Sequence, residues 1–169
     1  AKVQLNNKHP EGFEPMFDGV TLANWQGLLA KPNNDPNKRA ALPADERLLQ
    51  QSAANQKMLA HWRVVDGELR FDGKGDSLST VREDYANYEL WLDWKIGPKG
   101  DSGVYLRGQP QVQIWDYTDQ NKFKLGADKG SGGLWNNPSG SAGKDPLVLA
   151  DNPFGEWNRV KILQIGSRT

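Results

Sequence analysis

Cysteine is absent from this chain of 169 residues. That absence excludes disulfides, thiolate catalysis and Cys-ligated zinc, while leaving the compartment open. No apolar run approaches the ~20 residues a membrane-spanning helix needs, and no leader pattern opens the chain. An exported protein whose leader has been removed looks the same. An excess of either charge is also missing: Lys plus Arg and Asp plus Glu number 21 each. No long-range field then draws the chain to nucleic acid or to an anionic membrane, and neutral hydrogen-bonding ligands are the expected partners. Histidine is scarce, and of the two present, His9 falls in a polar, frayed N-terminal stretch.

What the chain does have is tryptophan. Seven Trp (25, 62, 91, 94, 115, 135 and 157) outnumber both the Tyr and the Phe. Trp anchors cores, and its flat face also suits stacking on sugar rings. With 37% apolar and 25% charged residues, the length fits one globular domain over 12–169, after a flexible segment at 1–11.

Along the chain, "FEPMF" (13–17) before "DG" reads as a short strand ending in a turn. Residues 27–38, rich in Asn, Pro and Lys, read as a loop. The one convincing helix covers about 43–61. Pro43 suits its first position, Asp45 and Glu46 its positive end, and Leu48, Leu49, Ala53 and Leu59 form a loose apolar stripe for a surface helix. Asp66-Gly67 in "WRVVDGELRF" is the strongest hairpin signal. "NYELWLDWKI", "SGVYLRG", "QVQIWD", "PLVLA" (146–150) and "WNRVKILQI" then read as strands between Gly, Ser, Asn and Asp turns. Many strands and one helix predict an all-β sandwich or jelly roll.

Three strands agree on one split of faces. Leu90, Leu92, Trp94, Val104, Leu106, Val112 and Ile114 face the core. Glu89, Trp91, Asp93, Tyr105, Arg107, Gln111, Gln113 and Trp115 share the other side. A solvated face rarely gathers aromatics, a guanidinium and amides, so this side reads as a ligand face. Trp91, Tyr105 and Trp115 stack there, while Arg107, Gln111 and Gln113 bond hydroxyls. An ordinary outer face partly covered by the helix is the plain alternative. Trp135 and Asn136, in the Gly-rich "GSGGLWNN" loop, suit the lip of such a site; that loop matches no phosphate-binding pattern. "DGKGD" (72–76) lacks the spacing of a calcium loop and reads as a turn.

Six blocks in order carry a resemblance: "GFEPMFDGVTLANWQG", "WRVVDGELRF", "YELWLDWKI", "GDSGVYLRG", "PQVQIWD" and "GEWNRVKI". Together, from about Gly12 to Ile165, they resemble the 3-keto-disaccharide hydrolase domain, also described as a 3-keto-glucoside lyase and hydratase domain. The resemblance implies a concanavalin-like jelly roll acting on sugars oxidised at C3, mostly in exported bacterial proteins, periplasmic or at the cell surface. Gln111 stands where the family usually has Glu. Similar domains also continue beyond "WNRVKILQIG", so a missing last strand, or a partner chain completing that edge, is expected.

The implied chemistry needs a base for the acidified C2–H, an acid for the leaving oxygen and a cation or donor for the enolate. Asp116, matching an Asp of the family motif, is the acid/base or metal-ligand candidate; an Asp at a strand end is also a turn former. Glu89 and Asp93 lie about 13 Å apart along a strand, beyond the ~5–9.5 Å of a two-carboxylate glycosidase. The Glu-x-Asp-x-Glu strand of jelly-roll glucanases is not matched, since Trp91 and Asp93 hold its second and third places. Arg107 is the enolate clamp or a salt-bridge partner. His61, at the helix end, is a base or simply a cation favoured there. The sequence names no cofactor and leaves the metal open; a divalent cation near Asp116 or Glu89 would stabilise an enolate. Two other readings stand beside the enzyme: a non-catalytic lectin-like module, and a structural partner chain.

Overall fold

A computed structural model describes residues 8–169. The expected flexible segment at 1–11 lies, over 1–7, outside the described residues. The chain divides into two compact units, residues 8–84 and 85–169 among those described, and each is taken by itself. Strands dominate, helices are few, and no barrel closes among the described residues: every sheet is a two-stranded antiparallel ladder. The arrangement is compatible with a β-sandwich. No described helix is long and apolar enough to cross a membrane.

In residues 8–84 the order is β1 (Trp25–Gly27), α1 (Pro36–Ala40), α2 (Ala44–His61), β2 (Trp62–Val65), β3 (Glu68–Phe71) and β4 (Leu78–Thr80). β1 pairs with β4 and β2 with β3. The β2–β3 turn is the expected Asp66-Gly67, with φ of 53° and 76° at its two residues; such positive values are what a two-residue hairpin demands. Across it the Trp62 and Phe71 rings stack 4.5 Å apart.

The α2 helix matches its predicted span, but not its predicted packing. Leu48, Leu49 and Leu59 are exposed, and Met58 is the buried residue. The helix docks on β1 through small and polar groups instead. Asn55 Oδ1 accepts the Gly27 N–H at 2.9 Å, and Gln51 Nε2 donates to the Gly27 carbonyl at 2.8 Å. A Cβ on Gly27 would sit 2.2 Å from the Ala54 carbonyl oxygen, so only glycine allows this approach. Pro43 caps α2 rather than occupying its first turn.

Three expectations fail in local structure. Residues 13–17 form no strand; Asp18 instead gathers the Thr21 hydroxyl and the Thr21 and Val20 N–H groups on its carboxylate, and these, the hydroxyl first, hold its carboxyl down to about 2. Within the predicted loop, Asp35 accepts from the Asn37 and Lys38 N–H groups and starts α1. The "PLVLA" stretch is irregular, with Leu147, Val148 and Leu149 exposed. Its apolar run lacks a partner strand, and pattern alone does not supply one.

In residues 85–169 the order is β5 (Tyr88–Trp94), β6 (Asp101–Tyr105), β7 (Gln111–Trp115), two 3-10 turns (Gln120–Leu125 and Ala127–Lys129) and β8 (Asn158–Gln164). β5 pairs with β8 along seven residues, and β6 with β7 along five. Both ladders turn one face to a common core of Leu106, Val112 and Ile162, packed by Tyr88, Leu90, Val104, Leu134 and Val160. β7 has a second neighbour, the segment around Leu134. Val112 bridges Leu134, and the Gln113 N–H donates to the Gly133 carbonyl at 2.9 Å.

Candidate functional site

Side chains alternate along a strand, so the β6–β7 face away from the core carries Asp101, Gly103 and Tyr105 opposite Trp115, Gln113 and Gln111. The expected open ligand face is here largely closed. Gln111, Gln113 and Trp115 are 9%, 4% and 5% exposed, because the segment after Gly130 runs beside β7. A buried amide needs partners, and these have them. Gln111 Nε2 donates to Gln113 Oε1 at 2.9 Å and to the Ser102 carbonyl at 3.2 Å. Gln113 Nε2 donates to Asp101 Oδ1 at 2.7 Å, and Lys122 Nζ bonds Asp101 Oδ2. The result is a directed chain, Gln111 to Gln113 to Asp101, closed by an ammonium.

Gly103 makes the chain possible. A Cβ there would lie 2.2 Å from Gln111 Nε2, so the space beside Asp101 is filled by the Gln111 amide. Around this floor Tyr105 stands exposed, and Trp135 meets Trp115 edge to face at 5.6 Å. Lys144 Nζ lies 4.2 Å from the Trp135 ring centroid and donates to its carbonyl at 2.6 Å. Asn136 Oδ1 accepts the Gln111 N–H at 2.8 Å, and the Trp115 indole N–H donates to the Gly130 carbonyl at 2.9 Å. Tyr105, Gln111, Gln113, Trp115, Trp135 and Asn136 are thus brought together.

Asp101 and Lys122 were not singled out in the sequence. Asp101 carries a readable signal, since it alternates with Gly103 and Tyr105 in "DSGVY". Lys122 comes from a 3-10 turn whose short repeat leaves no period to read.

Asp116 follows the core-side parity of Val112 and Ile114 rather than the amide face. It is 3% exposed. Its Oδ2 accepts the Lys99 N–H at 2.7 Å, and its Oδ1 accepts both the N–H and the hydroxyl of Thr118 at 2.7 Å. Burial pushes the Asp116 carboxyl up, but the bonds from Thr118 and Lys99 outweigh it and hold the group below the usual carboxylate range. Its oxygens serve the turn after β7. Arg107, at φ 51°, donates to the Ala86 carbonyl at 3.2 Å and to the Gly166 carbonyl; the guanidinium ties the entry of β5 to the exit of β8.

The outer face of β5–β8 holds the remaining candidates. Asp93 takes Arg159 in a two-pronged ion pair, 2.6 and 2.7 Å. Glu89 accepts the Trp91 indole N–H and lies 3.2 Å from Lys161 Nζ; these two partners, the indole first, hold the Glu89 carboxyl below its ordinary range. Arg159 and Lys161 each lie 5.8 Å from the Trp91 ring centroid. Glu89, Trp91 and Asp93 therefore stand on one ladder's outer face, and the amide set on the other's.

His61 belongs to the other unit, where its Nδ1 sits 3.0 Å from Asp72 Oδ2. That bond, joined by the Lys74 N–H, lowers the Asp72 carboxyl. Among the described residues no group of three or more His, Asp or Glu side chains is placed to hold a metal.

Comparison with known proteins gives the family of the chain. A family model described as the 3-keto-alpha-glucoside-1,2-lyase-like domain matches residues 12–169. A 3-keto-disaccharide hydrolase of Bacteroides thetaiotaomicron is 22% identical to the chain, over 90% of it and 52% of that relative. The chain thus spans about half the length of the curated relative it matches. No solved structure matches the chain. With the match running from the turn before β1 to the last described residue, the chain belongs to the family of 3-keto-alpha-glucoside-1,2-lyase-like domains.

Proposed function

We propose that this chain cleaves 3-keto-glycosides on a jelly-roll scaffold of concanavalin type, as one domain of an exported bacterial protein. The observation that carries the reading is the β6–β7 face. Inside the family-matched region it gathers a carboxylate, an ammonium, two oriented amides, the exposed Tyr105 ring and the half-buried Trp135 ring. A sugar ring rests on Tyr105 and Trp135, and the amide floor sets its hydroxyls.

The 3-keto group acidifies C2–H. A carboxylate takes that proton, the electron pair moves into an enolate at C3, and a cation beside it balances the charge. Re-forming the ketone expels the C1 oxygen, which leaves with a proton as the aglycone. Water added across the resulting double bond completes net hydrolysis, so lyase and hydrolase are two stages of one route. No oxocarbenium ion is needed, and the ~5–9.5 Å carboxylate pair of ordinary glycosidases is not required. Asp116 and Arg107 support this site through the turn and the strand ends they fix.

The test is release of a chromogenic aglycone from 3-keto-glucosides of both anomeric forms, with the unoxidised glucoside as control and EDTA in a parallel series. Release from the oxidised sugar alone supports the reading; loss with EDTA adds a divalent ion to the enolate. Binding of the oxidised sugar without release overturns it in favour of a carbohydrate-binding module.

A further inference from the structure

We infer that Asp101 is the base that removes the C2 proton and that Lys122 is the cation that holds the enolate; the inference rests on the reading above and names the groups at that same site. Three observations lead here. Asp101 is the carboxylate on the amide face, half exposed at 46%, while the side chain of Lys122 is 24% exposed. Two donors, Gln113 Nε2 and Lys122 Nζ, take one oxygen of Asp101 each, which leaves each oxygen a lone pair for a proton from the substrate. Finally, the buried chain from Gln111 through Gln113 reaches Asp101 with its short 2.7 Å bond, while the Ser102 and Ile114 carbonyls take longer ones at 3.2 and 3.4 Å. Two amides held at 9% and 4% exposure serve no solvated purpose; their order runs toward the carboxylate. Gln113 is thus a positioning residue.

The spacing suits a sugar. Asp101 and Tyr105 lie on one face four residues apart, about 13 Å along the strand, with Gly103 between them contributing no side chain. The substrate ring is assigned to the open face between the carboxylate and the phenol, over the Gln111 amide. In the step itself the C2–H bond breaks and its proton goes to an Asp101 oxygen. The electron pair becomes C2=C3, with the negative oxygen at C3 facing the Lys122 ammonium. On collapse, C3=O and C1=C2 form, the C1–O bond breaks, and the proton on Asp101 passes to the departing oxygen. Nothing is oxidised or reduced, and the carboxylate is regenerated.

The experiment follows C2 deuterium uptake by NMR in a methyl 3-keto-glucoside, alongside aglycone release from a nitrophenyl 3-keto-glucoside. Positioned acid–base groups are worth about 10²–10⁴-fold. Asp101→Asn is expected to lose both signals by about that factor, with part recovered in Asp101→Glu. Lys122→Met is expected to lose about 10²-fold, part of it recovered in Lys122→Arg. Thermal melts accompany every variant; should Asp101→Asn not fold, Asp101→Ser and Lys122→Met carry the same comparison. A folded Asp101→Asn protein that exchanges and releases at the wild-type rate overturns the assignment alone. Wild-type protein that neither exchanges C2 deuterium nor releases aglycone overturns the proposed function and the assignment with it.

Discussion

Asp116 and Asp101 show how one residue type takes opposite parts fifteen positions apart. Asp116 accepts three hydrogen bonds in a buried turn, so its oxygens have little left to give a substrate. Truncating it leaves the Lys99 and Thr118 N–H groups without their acceptor, and an orphaned buried donor costs about 1–3 kcal/mol. Asp116→Ala is therefore expected to lower stability by about 1–3 kcal/mol in urea unfolding, with any fall in turnover tracking the folded fraction. A folded Asp116→Ala protein with turnover reduced 10²-fold or more would return Asp116 to the chemistry. The rule that an Asp ending a strand is usually a turn former anticipated this arrangement.

Among the elements, β7 marks the boundary between what pattern reveals and what it hides. Alternation in "QVQIW" assigned the faces correctly, with Val112 and Ile114 toward the core. It could not show that both faces are buried, because the segment 132–135 that hydrogen-bonds beside β7 is Gly-rich and has no strand pattern of its own. Hence Gln111 and Gln113 read as ligand-facing donors, whereas the folded strand engages them with each other and with Asp101. The Asp66-Gly67 hairpin was legible because the turn chemistry is local. The packing of α2 was not, because it rests on Gly27 meeting Ala54, a contact between residues 27 positions apart that leaves no period in either segment.

Glycine substitutions separate these effects. Gly103→Ala puts a Cβ 2.2 Å from Gln111 Nε2 and 2.7 Å from the Val112 carbonyl oxygen. Overpacking of this kind costs about 1–3 kcal/mol and also disturbs the amide chain. Gly97, with nothing within 4 Å of an added Cβ and no positive φ, is the control. Gly97→Ala is expected to be neutral or to stabilise by about 0.4–1 kcal/mol. Equal denaturation midpoints for the two variants would show that the Gly103 contact relaxes without cost.

On the scale of the whole molecule, the shifted carboxyls all move one way. Asp18, Asp72, Glu83 and Asp84 in one unit and Glu89 and Asp116 in the other titrate below their ordinary values. A depressed folded pKa means that the unfolded chain binds the proton more readily, so this stability is complete above the ordinary 3.8–4.5. It is lost as pH falls through the folded values. The alkaline side runs in reverse: burial raises the Tyr88 phenol and Asp145 raises Lys129. Their contribution holds below the ordinary 10.0 and 10.5 and goes as pH rises through the folded values. Melting temperature is thus expected to be level from about pH 5 to 9 and to fall on both sides. Asp72, Glu83 and Glu89 pair with cationic groups at or near the surface, where about 0.5 M salt screens much of the attraction; Asp18 is held by neutral donors and keeps its share. Asp116 is bonded inside, beyond that screening. In high salt the acid limb should therefore persist in the wild type and become shallower in Asp116→Asn, which has no proton to gain there, with Asp18 carrying the remainder. Acid limbs of equal steepness in the two proteins would assign the loss to the surface pairs instead.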